Sequence, residues 1–247
     1  MIMIRLILVL TLIPFITIYT IIDIVYSFLL KIISYNSYLV HSENVVKFIF
    51  RLVVLISGVK VHVNGNENIT SLNEVKSYFV ISNHRGFFDV ITGYLLFSKH
   101  MGIVAKKSIK KIPLISYWMK RINCVFLDRN DLRDGVRMII DCVHNIDKGV
   151  SMWIFPEGTR CKSGDQNELL EFKSGSFKIA EKSDCFILPI AFKNTENAFE
   201  KHKPFIKVVD IYINIGKPYK ISEITDEDKE NIGKYNQDII RKLLMEV

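Results

Sequence analysis

The sequence has few cysteines and lacks the motifs of several large enzyme classes. Its four cysteines in 247 residues include no C-x-x-C pair, which excludes a disulfide scaffold and indicates reduced, structural thiols. No Gly-x-Ser-x-Gly, Walker loop or Gly-x-Gly-x-x-Gly follows a predicted strand, which argues against a serine hydrolase and a nucleotide-binding enzyme. The six histidines show no pair at zinc-ligand spacing, so we expect no metal site and no resident cofactor.

The composition is that of a folded, basic chain with an apolar excess. Apolar residues make up 49% and charged residues 24%, which excludes a disordered chain. The 33 Lys and Arg against 26 Asp and Glu give a net charge of +7, and the mean hydropathy is +0.20. This charge suits an anionic membrane surface or an anionic substrate. Since no DNA- or RNA-binding motif is present, we expect no nucleic-acid partner.

The apolar excess lies at the amino terminus. Residues 6–22 carry no charge, and after Asp23 the apolar run resumes to residue 30. As a helix these segments would reach roughly 25 Å and 37 Å. The run is too long for a signal peptide and has no small-residue cleavage site after it. A spanning helix fits, and so does a helix or hairpin that enters one leaflet, because Pro14 and Asp23 interrupt the run. A buried core helix would rarely be this long.

A second apolar segment, residues 45–56, supports a membrane interpretation. Apolar residues recur at helical spacing, while Lys47 and Arg51 share the other side of the predicted helix. A basic face opposite an apolar one suits the headgroup zone, and the alternative is a helix packed on the domain. Lys31, Lys47, Arg51 and Lys60 all follow the first run. The positive-inside rule then places the body of the protein on the cytoplasmic side of the cell membrane.

From residue 58 the pattern predicts an α/β domain. Short apolar runs predict strands, and longer periodic segments between them predict helices. The predicted strands are 59–63, 78–82, 102–105, 124–127, 152–155, 186–192 and 208–215, and the predicted helices are 90–97, 132–146, 175–181 and 226–245. The alternation favours a mixed, largely parallel sheet flanked by helices. We find no repeat or linker within it, and predict a membrane-associated helical segment over residues 1–57 and one domain over residues 58–247.

A histidine and an aspartate follow the strand predicted at 78–82. His84 and Asp89 would lie about 140° apart around one continuous helix, so the chain must bend between them, and Gly86 is available for the bend. Asp89 could then hold one imidazole nitrogen and leave the other as a proton acceptor. A structural histidine satisfied by a nearby carboxylate is the alternative interpretation of this pair alone.

A second group, Phe-Pro-Glu-Gly-Thr-Arg at 155–160, follows the strand predicted at 152–155. Pro and Gly favour a turn at the strand end. Arg160 offers a planar fork suited to phosphate, and backbone N–H groups near Gly158 could approach an anion. By itself this segment could also be a loop with a surface salt bridge between Glu157 and Arg160.

Together, in this order, the two segments resemble the glycerophospholipid acyltransferase family, which includes the 1-acylglycerol-3-phosphate (lysophosphatidate) acyltransferases. The Asn-His-x-x-x-x-Asp block stands intact at 83–89, and the Phe-Pro-Glu-Gly-Thr-Arg block at 155–160. The similarity covers about residues 58–216 and also includes Lys106 with the Pro-Leu turn at 113–114, the segment 126–129, Phe172-Lys173 with Gly175, and the segment 188–191. Ser116 and Asn123 stand where many members have Gly, and Cys161 stands where Ser is common.

The resemblance implies acyl transfer from acyl-CoA or acyl-carrier protein to the free hydroxyl of lysophosphatidate, giving phosphatidate. It implies His84 as the base and Asp89 as the group that orients it. Arg160, Arg129 and Lys106 would bind phosphate, with Glu157, Gly158 and Thr159 completing the substrate-binding set. Backbone N–H groups near Gly158 or Gly86 are candidates for an oxyanion hole. Alternatives are another acceptor, such as glycerol-3-phosphate or a lyso-aminolipid, or a catalytically silent lipid-binding module in the membrane.

Overall fold

Two long helices precede an alternation of strands and helices in the computed structural model, which describes the backbone of residues 2–246 and the side chains of residues 4–246. The strands are β1 (Lys60–Asn64), β2 (Phe79–Ser82), β3 (Met101–Lys106), β4 (Val125–Leu127), β5 (Ser151–Ile154), β6 (Ile187–Lys193) and β7 (Asp210–Ile215). The helices are α1 (Ile2–Ile33), α2 (Tyr35–Ser57), α3 (Asn66–Thr70), α4 (Phe87–Tyr94), α5 (Pro113–Arg121), α6 (Leu132–Asp147), α7 (Lys178–Ser183), α8 (Asp226–Glu230) and α9 (Ile232–Met245). Short 3-10 helices cover Lys107–Lys111, Ser174–Phe177, Thr195–Asn197, Glu200–His202 and Ile221–Glu223.

The strands form one sheet in the order β1-β7-β6-β2-β5-β3-β4. All neighbouring pairs are parallel except β6 with β7, so the prediction of a mixed, largely parallel sheet is confirmed. The central strands β2 and β5 are buried along their whole length. Continuous apolar runs are typical of strands covered by helices on both faces, which explains why the sequence shows them here.

Two apolar layers lie on opposite faces of this sheet. Trp153 of β5 packs in the layer that contains Val46 of α2 and Trp118 of α5. Its neighbour Met152 points the other way, into the layer built by α6, α7 and α9. Because successive residues of a strand face opposite sides, one short strand anchors both layers.

The predicted strands are all present, whereas several helix boundaries differ. The segment 226–245 is two helices that meet at Asn231, whose φ of −108° and ψ of 33° leave the helical region. The segment 175–181 begins as the 3-10 helix Ser174–Phe177 and continues as α7. Helix α5 was not predicted, because only Ser116, Trp118 and Arg121 of it are buried and its apolar periodicity is correspondingly weak.

Helix α1 buries polar side chains and exposes apolar ones, which is the opposite of the pattern expected for a helix in water. Its buried residues include Thr20, Asp23 and Ser27, whereas Phe15 and Ile22 are 70% and 69% exposed. Within the described residues, the stretch Ile4–Ile33 is long and apolar enough to cross a membrane, by length and composition. A helix that hides its polar side chains and exposes its apolar ones is suited to contact with lipid rather than water.

Polar contacts attach α1 to the rest of the protein. Asp23 forms a buried ion pair with Arg121 of α5 and lies 2.6 Å from His41 Nε2 of α2. Three residues earlier in α1, Thr20 Oγ1 accepts a hydrogen bond of 2.9 Å from Trp118 Nε1. The hydroxyl and carboxylate that interrupt the apolar run therefore serve as docking points between helices.

Helix α2 packs on the α/β domain, which was the alternative interpretation of this segment, and of its two basic residues only Arg51 is exposed. Lys47 is buried, its Nζ lies 6.0 Å from the centre of the Tyr94 ring, and burial lowers the pKa of this lysine. Glu43 of the same helix accepts a hydrogen bond of 3.0 Å from the backbone N–H of Met101. Phe48 and Leu55 are exposed instead. Helical spacing alone could not show which side would meet the domain.

Candidate active site

Every site residue predicted from the sequence lies at the carboxyl ends of the parallel strands, along one edge of the sheet. His84 and Asp89 follow β2, residues 155–160 follow β5, Lys106 ends β3, and Arg129 follows β4. These four strands are parallel and adjacent in the order β2-β5-β3-β4. With neighbouring strands about 5 Å apart, Lys106 lies one strand and Arg129 two strands from the loop at 155–160.

His84 and Asp89 are in direct contact. The distance from His84 Nδ1 to Asp89 Oδ2 is 2.7 Å, and the same oxygen accepts the backbone N–H groups of Arg85 at 2.6 Å and Gly86 at 2.8 Å. The Asp89 side chain is fully buried and the His84 side chain is 15% exposed. With Nδ1 donating to the carboxylate, Nε2 is the proton-accepting nitrogen, and it has no hydrogen-bond partner among the described residues.

The chain bends between these two residues because α4 begins only at Phe87. Gly86 is extended, with φ −158° and ψ −179°, a conformation open to any residue. A Cβ at this position would lie 2.5 Å from Glu200 Oε2, so the end of the Glu200 side chain would have to move to admit one. The bend predicted at Gly86 is present, and it does not depend on the backbone freedom of glycine.

The two motifs predicted from the sequence touch each other around His84. Its ring stacks on Phe155 with 4.1 Å between ring centres. Its backbone N–H donates to Glu157 Oε1 at 2.8 Å, and its carbonyl accepts from the N–H of Cys161 at 2.9 Å. His84 is therefore held by stacking on its ring and by hydrogen bonds to both its backbone N–H and its carbonyl.

Glu157 joins two backbone segments. Its second oxygen, Oε2, accepts the N–H of Leu170 at 3.0 Å. Burial raises the pKa of the Glu157 carboxyl to about 7, against the opposing effect of the His84 and Leu170 N–H groups. Both oxygens are thus engaged by the backbone, and the carboxylate forms no ion pair with Arg160 among the described residues.

Gly158 has a positive φ of +69°, which glycine adopts without strain. Its N–H donates to the carbonyl of Phe155 at 2.9 Å, and the Gly86 N–H donates to Asp89. The N–H groups of Gly158 and Gly86 themselves are therefore engaged within the protein, which leaves their neighbours as the candidates for an oxyanion hole. Lys173 is an additional cation here, because its Nζ lies 3.2 Å from where a Cβ of residue 158 would stand.

Arg160 lies at the same edge with a partner that the sequence does not reveal. Its guanidinium stands 4.2 Å from the centre of the Phe87 ring, and its Nη1 is 3.4 Å from Glu200 Oε1. Burial raises the pKa of Glu200. Thr159, Lys106 and Arg129 are exposed.

Two further residues that sequence reasoning did not single out hold the site in shape. Arg85 is buried: its Nε donates to Glu196 Oε1 at 3.1 Å and its Nη2 to the carbonyl of Ser163 at 2.6 Å. Asn83 bonds the backbone of Phe192 in both directions, at 2.8 Å each. Both lie inside the Asn-His-x-x-x-x-Asp block, so proximity to His84 was the available signal. No sequence signal pointed to Glu200, because it lies 113 residues from Phe87, whose backbone N–H it accepts.

The polar groups of the site converge at the carboxyl ends of parallel strands in an α/β protein. This is the position at which enzymes with such a fold carry their active sites. A family model described as Acyltransferase matches residues 60–193. The chain belongs to this acyltransferase family, and it is an enzyme that transfers an acyl group.

Individual relatives agree with this assignment. The chain is 29% identical over 194 residues to the 1-acyl-sn-glycerol-3-phosphate acyltransferase of Borreliella burgdorferi, covering 78% of this chain and 75% of that protein. It is 27% identical over 191 residues to the enzyme of the same name from Saccharomyces cerevisiae, covering 77% of this chain and 60% of that protein. The crystal structure of the 1-acyl-sn-glycerophosphate (LPA) acyltransferase PlsC from Thermotoga maritima superposes with a TM-score of 0.77 at 24% identity, over 98% of this chain and 93% of that one. This likeness confirms the fold.

Proposed function

We propose that the protein transfers a fatty acyl group from acyl-CoA or acyl-carrier protein to the free hydroxyl of lysophosphatidate, giving phosphatidate. The names of the relatives support this acceptor. The observation that carries the proposal is the pairing of His84 Nδ1 with Asp89 at 2.7 Å, beside the loop that presents Arg160.

His84 acts as a general base in this proposal. A hydroxyl has a pKa far above 7, so His84 Nε2 removes its proton as the oxygen attacks the thioester carbonyl. The tetrahedral intermediate collapses with cleavage of the C–S bond, and the imidazolium returns the proton to the leaving thiolate. Asp89 holds the ring and stabilises the imidazolium. The acceptor itself is the nucleophile, so no serine or cysteine of the enzyme is acylated.

The acceptor's phosphate is bound by cations of the same sheet edge. Arg160 lies in the loop that contacts His84, and Lys106 and Arg129 lie at the carboxyl ends of the next two strands. Gly158 and Thr159 shape the loop that carries Arg160. Glu157 acts through the backbone of His84, which it holds at 2.8 Å.

The membrane holds the lipid substrates, and α1 is the segment that would reach them. We assign residues 1–57 to membrane association and residues 58–247 to catalysis, with the catalytic domain on the cytoplasmic face of the cell membrane. The exposed apolar surface of α1 and the basic residues that follow it support this arrangement.

Substitution of His84 tests the base. In neutral detergent with lysophosphatidate and acyl-CoA, we expect His84→Ala to lower the rate of CoA release by roughly 10²- to 10⁴-fold and to leave the fold intact. His144→Ala, on the exposed face of α6, is the matched control. Substantial activity in folded His84→Ala would refute the assignment. Glycerol-3-phosphate and a lyso-aminolipid, assayed with the wild type, identify any other acceptor, and no turnover with any of them would favour a silent lipid-binding module.

Substitution of Arg160 tests phosphate binding. Loss of a charge-assisted contact in Arg160→Ala should raise the KM for lysophosphatidate roughly 10- to 100-fold, with a smaller change in kcat. Arg137→Ala, whose side chain is 74% exposed on α6, should leave KM unchanged. An unaltered KM in Arg160→Ala would remove this residue from the phosphate site.

A further inference from the structure

A cavity between α2 and α5 takes no part in the site described above. Its volume is about 440 Å³, which is within the usual range of small-molecule sites. Its lining is formed by Tyr38, Lys110, Pro113, Ser116, Tyr117, Lys120 and Arg121. None of these residues belongs to the proposed catalytic or substrate-binding set, and we refer to this space as the α2–α5 cavity.

The lining of the α2–α5 cavity carries an uncompensated positive charge. It includes three cations and no carboxylate. Asp23 balances Arg121, whereas Lys110 and Lys120 have no ion-pair partner in the described part of the chain. Lys110 Nζ lies 5.1 Å from the centre of the Phe126 ring. Two unpaired ammonium groups at one concave site create a local potential that attracts an anion.

The buried guanidinium in the wall provides an independent indication. Arg121 Nε donates to Ser42 Oγ at 3.0 Å, and Nη1 donates to Tyr117 Oη at 2.8 Å. Its side chain is 4% exposed, and its Nη2 is buried without a hydrogen-bond partner among the described residues. Buried donors are nearly always paired in native proteins, so this residue of the cavity lining keeps a hydrogen-bonding group and part of its positive charge uncompensated.

The cavity adjoins the apolar surface formed at the end of α1. Lys31, in the last turn of α1, places its Nζ 5.6 Å from the centre of the Tyr38 ring. Ile32 and Ile33, which follow it in α1, are exposed, as are Ile112 and Ile115, which adjoin the lining residues Pro113 and Ser116 in the chain. Exposed apolar side chains therefore adjoin the cationic lining, which suits a molecule with a charged head and hydrocarbon chains.

We propose that the α2–α5 cavity binds the phosphodiester headgroup of an anionic phospholipid of the surrounding membrane. Lys110 and Lys120 contact the phosphate, Arg121 stabilises it from the wall, and the acyl chains lie along Ile33 and Ile115. This site holds an anionic lipid as a ligand rather than as the acyl acceptor, and it does not depend on the proposed reaction.

Binding of a short-chain anionic lipid tests the site directly. The full chain in neutral detergent is titrated with dioctanoyl phosphatidylglycerol, and the thermal midpoint is followed against dioctanoyl phosphatidylcholine. We expect the midpoint to rise only with phosphatidylglycerol. Lys110→Ala/Lys120→Ala should weaken the apparent affinity roughly 5- to 30-fold, at about 1 kcal/mol per lysine near an anionic lipid. Lys182→Ala/Lys234→Ala, which removes the same charge from exposed positions on α7 and α9, should retain the wild-type affinity.

Three outcomes would overturn the proposal. Equal weakening in both double variants would show that net charge, rather than the cavity, attracts the lipid. Displacement of phosphatidylglycerol by millimolar inorganic phosphate would identify a free-anion site, and displacement by coenzyme A would assign the cavity to the acyl donor. Because the readout is binding, a negative result leaves the acyl-transfer proposal standing, and an inactive enzyme could still bind the lipid.

Discussion

At the scale of single residues, Glu157 links segments that are far apart in the sequence. One oxygen accepts the N–H of His84 and the other accepts the N–H of Leu170. The carboxyl group is thus a buried brace between the imidazole loop and the segment that follows the 155–160 loop. A buried carboxylate with only neutral N–H partners is costly to ionise, which is why the pKa of Glu157 rises to about 7.

This pKa predicts a pH-dependent effect of Glu157→Gln on stability. The group titrates near 4.5 when unfolded and near 7 when folded, so the folded state binds more protons between these values. The contribution of Glu157 to the free energy of unfolding therefore falls by about 3 kcal/mol as the pH rises from 4.5 to 7. Glutamine does not titrate, so the stability of the variant relative to wild type should increase over that interval.

Unfolding in neutral detergent at pH 5 and pH 7.5 measures this difference. The variant also loses one hydrogen bond, an offset of about 1 kcal/mol at both pH values. Glu181→Gln, which replaces an exposed glutamate of α7, is the matched control. If Glu157→Gln differs from wild type by the same amount at both pH values, the raised pKa is wrong.

At the scale of elements, the contact between α1 and α5 depends on a buried ion pair. Asp23 and Arg121 are both almost fully buried, and the guanidinium is packed among three aromatic rings at 4.6 to 5.2 Å. Removing one partner of such a pair strands the other charge, which costs more than the pair itself contributes.

We expect Arg121→Ala to destabilise the protein by about 3–5 kcal/mol, because Asp23 would lose its guanidinium partner and keep His41 and the hydroxyl of Tyr19. Thermal unfolding in neutral detergent measures the loss. The exposed pair of α6 supplies the comparison, since Arg137→Ala removes a surface contact of 3.6 Å and should change stability by less than about 0.5 kcal/mol. Equal midpoints for the two variants would mean that α1 does not rely on Arg121.

At the scale of the whole molecule, the apolar surface is concentrated on one element. The side chains of α1 that face outward are aliphatic or aromatic over most of its length, whereas Thr20, Asp23 and Ser27 are buried. The α/β domain carries the conventional pattern, with its apolar residues in two layers on the sheet. This asymmetry predicts that lipid binding resides in the outer face of α1.

The variant Phe15→Lys/Ile22→Lys should lower partition into phosphatidylcholine vesicles, since a charged side chain is costly to place in the apolar part of a bilayer. Both side chains point away from the protein, so folding in detergent should be unchanged. Leu132→Lys/Met245→Lys adds the same charge at exposed apolar positions of α6 and α9 and should partition as the wild type does. Vesicle flotation distinguishes them, and equal partition would exclude the outer face of α1 as the lipid contact.

Individual residues show which features could be predicted from the sequence and which could not. The strands and the two motifs could be predicted, because period and order along the chain are local properties. Asn123 adopts φ +58°, a conformation that asparagine tolerates better than most residues. By contrast, the burial of Lys47 and the pairing of Arg160 with Glu200 depend on contacts between distant segments, and no local pattern encodes them.

The sequence by itself determined the α/β fold, the apolar amino terminus and the acyltransferase family. The spacing of apolar residues and the order of motifs are visible along the chain without knowing which residues are in contact. Only the tertiary structure decided which groups meet: the hydrogen bond between His84 and Asp89, the brace formed by Glu157, the reversed polarity of α1 and the cationic α2–α5 cavity. The physical reason is that these features arise where strands and helices remote in the chain pack together, and burial then fixes which polar groups are paired.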